Sequence, residues 1–174
     1  MLALGLYLLA TTSVQAVRVS GTSMYPSLHD GDLVVASRVD YRLHPVQRGD
    51  VVILKDPLDP TRDFIKRVIG LPGDRLRIHD HEVILDDHPL REPYVQVPWT
   101  DPSDWPGPGP NSAVVVPARS YFVMGDNRDH SSDSRLFQSV PQDDIDAKAV
   151  VRFWPIQRVQ VLAVMPTPGN PLTS

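Results

Sequence analysis

Proline recurs along the whole chain, and its spacing limits the possible folds more than any other feature. The 174 residues include 18 prolines, which stand at intervals rather than in one low-complexity run. Proline lacks an amide hydrogen and clashes with the preceding helical turn, so this spacing disfavours long helices. The pattern therefore predicts strands joined by turns.

Short apolar runs between turn residues predict the strands. Val51–Leu54 is a continuous β-branched run that follows the turn Arg48–Asp50, and Asp63–Ile69 ends at a Leu-Pro-Gly-Asp turn. Further runs of this kind lie at residues 17–20, 32–36, 75–78, 82–85, 114–116, 121–124 and 149–154. Strands at this spacing with almost no helix predict one all-β domain, built as a sheet or barrel.

The two ends of the chain differ from this pattern. The first ten residues, MLALGLYLLA, are nearly all apolar, but a bilayer-spanning helix needs roughly 20 such residues. The segment fits a shortened membrane anchor, a signal peptide with a cleavage site at Val14-Gln15-Ala16, or a buried strand. At the other end, we expect residues 166–174 to be a disordered tail.

Charge and composition exclude several classes of function. The net charge of −4 gives no electrostatic case for binding nucleic acid. Cysteine is absent, which excludes disulfides, a thiol nucleophile and a Cys-ligated metal. The six histidines show no metal-ligand spacing beyond a pair in a predicted turn. We therefore expect neither a metal nor a cofactor.

A serine and a lysine far apart in the sequence predict nucleophilic catalysis. Serine needs a base within hydrogen-bond reach, and lysine can serve only if burial lowers its pKa from about 10.4. The chain has only three lysines, and Lys66 lies in the mostly apolar segment FIKRVI. Ser23 follows Gly21 and precedes Pro26, so a tight turn can aim its N–H at an incoming carbonyl.

Three segments in order resemble the motifs of type I signal peptidases. They are SGTSMYPSL at residues 20–28, FIKRVIGLPGD at 64–74 and GDNRDHSSDSR at 125–135. Residues 48–52, RGDVV, match a further strand motif of that family. The similarity covers about residues 17 to 155, and the ordered set is much more specific than any single motif.

The resemblance assigns roles to individual residues. It implies that Ser23 is the nucleophile, Lys66 the general base and Ser131 the residue that orients the lysine. The Ser23 backbone N–H would contribute to the oxyanion hole. Some members complete that hole with a serine hydroxyl two residues before the nucleophile. This chain has Gly21 there, so a second backbone donor is needed; Gly21 is one candidate, and Ser20 and Thr22 are the others.

Two further sets of residues follow from the resemblance. One set forms shallow pockets for small substrate side chains: Met24, Leu28, Phe64 and Ile65. The other set is structural and lies near the site: Gly125, Asp126 and the salt-bridge pair Asp133 and Arg135.

The resemblance also implies a function and a location. It predicts antiparallel β-sheets that form a barrel-like catalytic domain over residues 17–165, with residues 1–16 as a short membrane-anchor segment. The enzyme would be a membrane-associated serine endopeptidase that removes signal peptides from secreted preproteins after Ala-x-Ala-like sequences. Its partners would be preproteins and membrane lipid, and the catalytic domain would face the extracytoplasmic side of the cell membrane.

Three alternatives remain at this stage. A self-cleaving peptidase of the SOS-repressor type shares the Ser–Lys dyad, but no cleavable segment or DNA-binding domain is visible. A Ser-His-Asp protease could use His130 or His29 but has no supporting motif. A catalytically inactive β-barrel binding module would not need Ser23, Lys66 and Ser131 together.

Overall fold

A computed structural model of the chain describes residues 14–96, 99 and 112–162. The predicted tail at residues 166–174 and all of the predicted anchor before Val14 lie outside these residues. Among the described residues, no helix combines the length and the hydropathy needed to cross a bilayer.

Strands dominate the described part of the chain. In chain order they are β1 (Val14–Arg18), β2 (Leu33–Ser37), β3 (Val51–Asp56), β4 (Asp59–Gly70), β5 (Arg75–His79), β6 (Glu82–Leu85), β7 (His88–Pro89), β8 (Val114–Val115), β9 (Ser120–Met124), β10 (Val140–Pro141), β11 (Ile145–Trp154) and β12 (Gln160–Val161). Two four-residue helices, α1 (Asp40–Leu43) and α2 (Ser134–Phe137), lie between strands.

The described strands form two antiparallel sheets. The larger has the order β1-β2-β11-β3-β4-β9-β10, with β12 paired to β11, and the smaller has the order β7-β6-β5-β8. Every strand pair in both sheets is antiparallel. The predicted all-β fold with antiparallel sheets is confirmed.

The larger sheet curls on itself. Three strands separate β1 from β4 in the sheet order, yet residues of both strands line the same cleft. Flat sheets would hold these strands far apart, because neighbouring strands are about 4.8 Å apart. The curl therefore leaves an opening between β1 and β4.

Some elements differ from the sequence prediction. Strand β4 begins at Asp59 instead of Asp63, and its first residues are mostly exposed. Apolar patterning does not detect a solvated strand extension of this kind, because no face of it enters the core. The two helices were not predicted, since four residues are too short to show helical periodicity. The Asp133 side chain starts α2 by accepting a hydrogen bond from the Arg135 N–H.

Candidate active site

The predicted nucleophile lies in the loop between β1 and β2. The Val19 N–H donates to the Asp32 carbonyl oxygen at 2.8 Å, which closes the base of this loop. Within it, Gly21 has φ of 88°, a conformation that glycine adopts without the steric cost other residues meet. The loop holds Ser23 at the cleft between β1 and β4.

The predicted base faces this serine from β4. Lys66 pairs with Val52 of β3 in the sheet, which fixes the side of the strand from which its side chain projects. Its Nζ lies 2.9 Å from Ser23 Oγ, although 43 residues separate the two in sequence. Hydrogen-bond contact between nucleophile and base is the geometry that serine activation requires.

Burial lowers the pKa of Lys66, which makes its amine a better base near neutral pH. The side chain is only 2% exposed, and its Nζ lies 4.8 Å from the centre of the Phe64 ring. Burial lowers the pKa of Lys66 from 10.5 to about 8, while the Asp133 carboxylate opposes this change and the Arg135 guanidinium supports it. A substantial fraction of Lys66 is therefore neutral near pH 8 and can accept a proton.

Ser131 lies beside the dyad without bonding to it. Its Oγ is buried and makes no hydrogen bond to Ser23 or Lys66, but it lies close enough to the Asp133 carboxylate to help lower the pKa of that group. A Cβ built on Gly125 would lie 2.3 Å from this oxygen and 2.4 Å from the Ser23 carbonyl oxygen. The absence of a side chain at Gly125 is thus what lets these groups approach. The lysine-orienting role of Ser131 stays a prediction.

Buried ion pairs hold the segment that carries these residues, and two of them involve Asp126 and Asp133. Arg67, the residue after Lys66, donates from Nε and Nη2 to both carboxylate oxygens of Asp126 at 2.8 and 2.7 Å. Asp133 accepts from Arg135 Nε at 2.8 Å and from the Gly125 N–H at 3.0 Å. Burial alone would raise the pKa of Asp133, but the bonds from Arg135 and Gly125 hold it below its usual value.

Most of the predicted pocket residues line the cleft. It has a volume of about 450 Å³, and Met24, Phe64 and Ile65 line it beside Ser23. Leu28 is not among the lining residues. It is fully buried in the same core cluster as Met24, so any influence on the cleft passes through its neighbours.

Sequence reasoning missed several residues of the cleft wall. Arg62 and Asp63 precede the predicted pocket residues on β4, and His130 and Ser132 flank Ser131. The first pair could have been found from strand alternation, since residues two apart on one strand share a face. In the second pair, Ser132 carried no signal apart from its position in the third motif, and His130 was considered only as the base of a Ser-His-Asp protease.

The two predicted oxyanion donors differ in availability. The Gly21 N–H donates to Asp30 Oδ1 at 2.8 Å, so this amide is already engaged and the geometry does not favour it as the second donor. The Ser23 N–H has no acceptor among the residues that the structure describes.

Within the same residues, no group of three His, Cys, Asp or Glu side chains could hold a metal ion.

Comparisons with known proteins agree on one family. A family model described as "Signal peptidase, peptidase S26" matches residues 1–154. The chain is 36% identical to a signal peptidase I of Leptolyngbya laminosa, over 95% of this chain and 80% of that protein. It is 32% identical to signal peptidase IB of Staphylococcus aureus strain COL, over 86% of this chain and 83% of that protein.

A solved structure shows the same likeness in three dimensions. The crystal structure of a signal peptidase I from Enterococcus faecalis V583 matches with a TM-score of 0.52 and 27% identity. The match covers 62% of this chain and 98% of that one.

Proposed function

The chain belongs to the signal peptidase family, peptidase S26, and we propose that it removes signal peptides from preproteins with Ser23 as nucleophile and Lys66 as general base. The observation that carries this assignment is the 2.9 Å contact between Lys66 Nζ and Ser23 Oγ, made by a lysine whose burial lowers its pKa. Family membership also favours this function over a self-cleaving repressor or an inactive binding module.

The two residues account for each proton in the reaction. Neutral Lys66 takes the proton of Ser23 Oγ as this oxygen attacks the scissile carbonyl, and the Ser23 N–H stabilises the resulting oxyanion. Lys66 then gives the proton to the departing amine of the mature protein, which leaves the signal peptide as an ester on Ser23. A water molecule then attacks this ester as it loses a proton to Lys66, and Lys66 passes that proton to the departing Ser23 Oγ, which releases the signal peptide and restores the free enzyme.

The strand edges beside the cleft suit an extended substrate. Among the described strands, β1 pairs only with β2, and the stretch of β4 before Arg67 pairs only with β3. The free edges of β1 and β4 therefore face the cleft with backbone donors and acceptors to offer. A substrate segment bound there as an added strand would bring its scissile bond to Ser23.

Pocket shape leads to a prediction about substrate choice. Met24, Phe64 and Ile65 fill space around the cleft, so we expect a preprotein with Ala at −1 to be cleaved at least about 100-fold faster than one with Leu or Arg there. Preproteins that differ only at −1 would be incubated with the enzyme, and the new N-terminus would be sequenced. Equal cleavage of all three would contradict the pocket assignment.

The −2 position provides the matched control. Successive side chains of a bound strand point to opposite sides, so the same substitutions at −2 should change the rate much less than at −1. A loss of equal size at both positions would mean that the substrate does not bind as an extended strand.

An apolar surface supports membrane lipid as a partner. Exposed apolar side chains cluster where β11 ends and β12 begins: Phe153, Trp154, Ile156, Val159 and Val161. Trp154 pairs with Leu33 and Leu33 with Arg18, so this surface lies at the same end of the sheet as the Ser23 loop. Tryptophan is enriched at membrane–water interfaces. We therefore propose that the catalytic domain contacts the cell membrane through this surface; the extracytoplasmic side is the one that the resemblance to signal peptidases implies.

This location is testable by vesicle binding. Trp154→Ser combined with Ile156→Ser should weaken binding to vesicles of phosphatidylethanolamine and phosphatidylglycerol about tenfold, because it removes apolar area from the membrane-facing surface. Val115→Ser is the matched control, since Val115 is 60% exposed but lies in the smaller sheet. Equal binding by both variants would show that this surface does not contact lipid.

A further inference from the structure

Asn127 lies directly behind the nucleophile. Its backbone N–H donates to the Ser23 carbonyl oxygen at 3.0 Å, and its side-chain Nδ2 donates to the Thr22 carbonyl oxygen at 3.1 Å. The residue is 6% exposed and is not part of the cleft wall, whereas Thr22 and Ser23 are. Asn127 therefore holds the loop from the side opposite to the cleft.

Two hydrogen bonds to the Thr22 carbonyl oxygen orient the Ser23 N–H: one from Asn127 Nδ2 and one, within the loop itself, from the Tyr25 N–H at 3.0 Å. These two groups belong to one planar trans peptide, in which the C=O and the N–H point in opposite directions. Since both bonds hold the Thr22 oxygen away from the cleft, the Ser23 N–H is directed towards the cleft, and Asn127 is the partner that lies outside the loop. No described residue accepts a hydrogen bond from this N–H, so it is available to a ligand.

Asn127 is itself anchored to the strand that carries the base. The preceding residue, Asp126, receives two hydrogen bonds from Arg67, and Arg67 follows Lys66. Asp126 thus binds β4, which carries Lys66, and the next residue, Asn127, binds the loop that carries Ser23. The same short segment of backbone therefore fixes the positions of both residues of the dyad.

We propose that Asn127 is a positioning residue that aims the Ser23 N–H at the oxyanion formed during cleavage. The inference rests on the proposed Ser–Lys function and adds a residue whose effect falls on the transition state rather than on substrate binding. A side-chain amide suits this role because it donates to Thr22. In Asn127→Asp, an ionised carboxylate would face the Thr22 oxygen and repel it.

Steady-state kinetics provide the first test. Removing one oxyanion donor costs on the order of 10²–10³-fold in kcat, and misdirecting a donor should cost less. We expect kcat to fall about 10- to 100-fold in Asn127→Asp and Asn127→Ala, with KM changed less than about threefold. The midpoint of the pH profile should stay where it is in the wild type, since Lys66 is untouched.

Ligand binding separates this role from a structural one. An Ala-terminated peptide aldehyde adds Ser23 Oγ across its C=O: the O–C bond forms, the Oγ proton passes to Lys66 and the carbonyl oxygen becomes the oxyanion. The Asn127 variants should bind this aldehyde about 10- to 100-fold more weakly but bind the corresponding peptide amide as the wild type does. Val83→Ala, in the buried face of β6 in the smaller sheet, controls for lost stability and should leave both affinities unchanged.

Three outcomes would overturn the inference. They are a wild-type kcat in a folded Asn127 variant, an equal loss of affinity for aldehyde and amide, and a shifted pH midpoint with full activity at high pH. Ser23→Ala, measured in parallel, keeps the two proposals apart. If it is active, the Ser–Lys function fails; if it is inactive while Asn127→Asp matches the wild type, only the inference on Asn127 fails.

Discussion

Lys66→Met should abolish cleavage while leaving the folded protein at least as stable as the wild type at pH 7. Methionine fills nearly the same volume but cannot accept the Ser23 proton, so we expect kcat/KM to fall on the order of 10⁴-fold or more. Stability should not suffer, because pH 7 is below the pKa of about 8 and the buried amine is then mostly charged. Removing a buried charge removes its desolvation cost.

Two comparisons make this result specific. Lys55→Met alters a lysine that is 44% exposed and paired with Asp63, and it should retain activity. Ser23→Ala should lose as much activity as Lys66→Met, and the double variant should lose no more, because the two residues act as a unit. Full activity in a folded Lys66→Met protein would refute the dyad.

The pH profile of the wild type measures the same group independently. The base must be neutral, so kcat/KM should rise with pH through about 8 and remain high above it. The sign follows from burial: it disfavours the charged amine and so lowers the pKa at which the base becomes active. A rise centred near the ordinary lysine value of 10.5 would contradict a buried base.

Gly125→Ala is the second change with a large expected effect. The new Cβ would lie 2.3 Å from Ser131 Oγ and 2.4 Å from the Ser23 carbonyl oxygen, both well inside van der Waals contact. The backbone at residue 125 cannot shift away from these atoms without breaking the hydrogen bond from its N–H to the buried Asp133. Since small shifts of catalytic groups can cost about 100-fold in rate, we expect kcat to fall by about that factor, with a loss of about 1–3 kcal/mol in stability.

Gly73→Ala separates the loss of activity from the loss of stability. Gly73 has φ of 92°, but a Cβ there would meet no atom within 4 Å. The strained backbone should cost on the order of 1 kcal/mol without a change in kcat. Kinetics and thermal unfolding of both variants would be compared. A Gly125→Ala protein with wild-type kcat would show that Ser23 and Ser131 adapt without functional loss.

Local patterns in the sequence were sufficient for several conclusions. Proline spacing and short β-branched runs predicted the all-β fold, because strand formation by such runs depends mainly on neighbouring residues and burial. The three ordered motifs identified the family and singled out Ser23 and Lys66. The fold class and the family were confirmed because the information lies in short, contiguous segments, whereas the roles of Ser23 and Lys66 stay predictions.

Other features arise only when distant segments meet. The sequence could not reveal that the curled sheet brings Lys66 within hydrogen-bond reach of Ser23, or that Leu28 lies in the core instead of on the cleft. Nor could it show that Asp30 occupies the Gly21 N–H, or that Asn127 holds the Ser23 loop from behind. Strand order and sheet curvature determine these contacts, and they depend on packing between residues far apart in the chain. Residue types and motifs therefore identified the family and predicted the Ser–Lys dyad, whereas tertiary packing determined the direction, burial and pairing of each group.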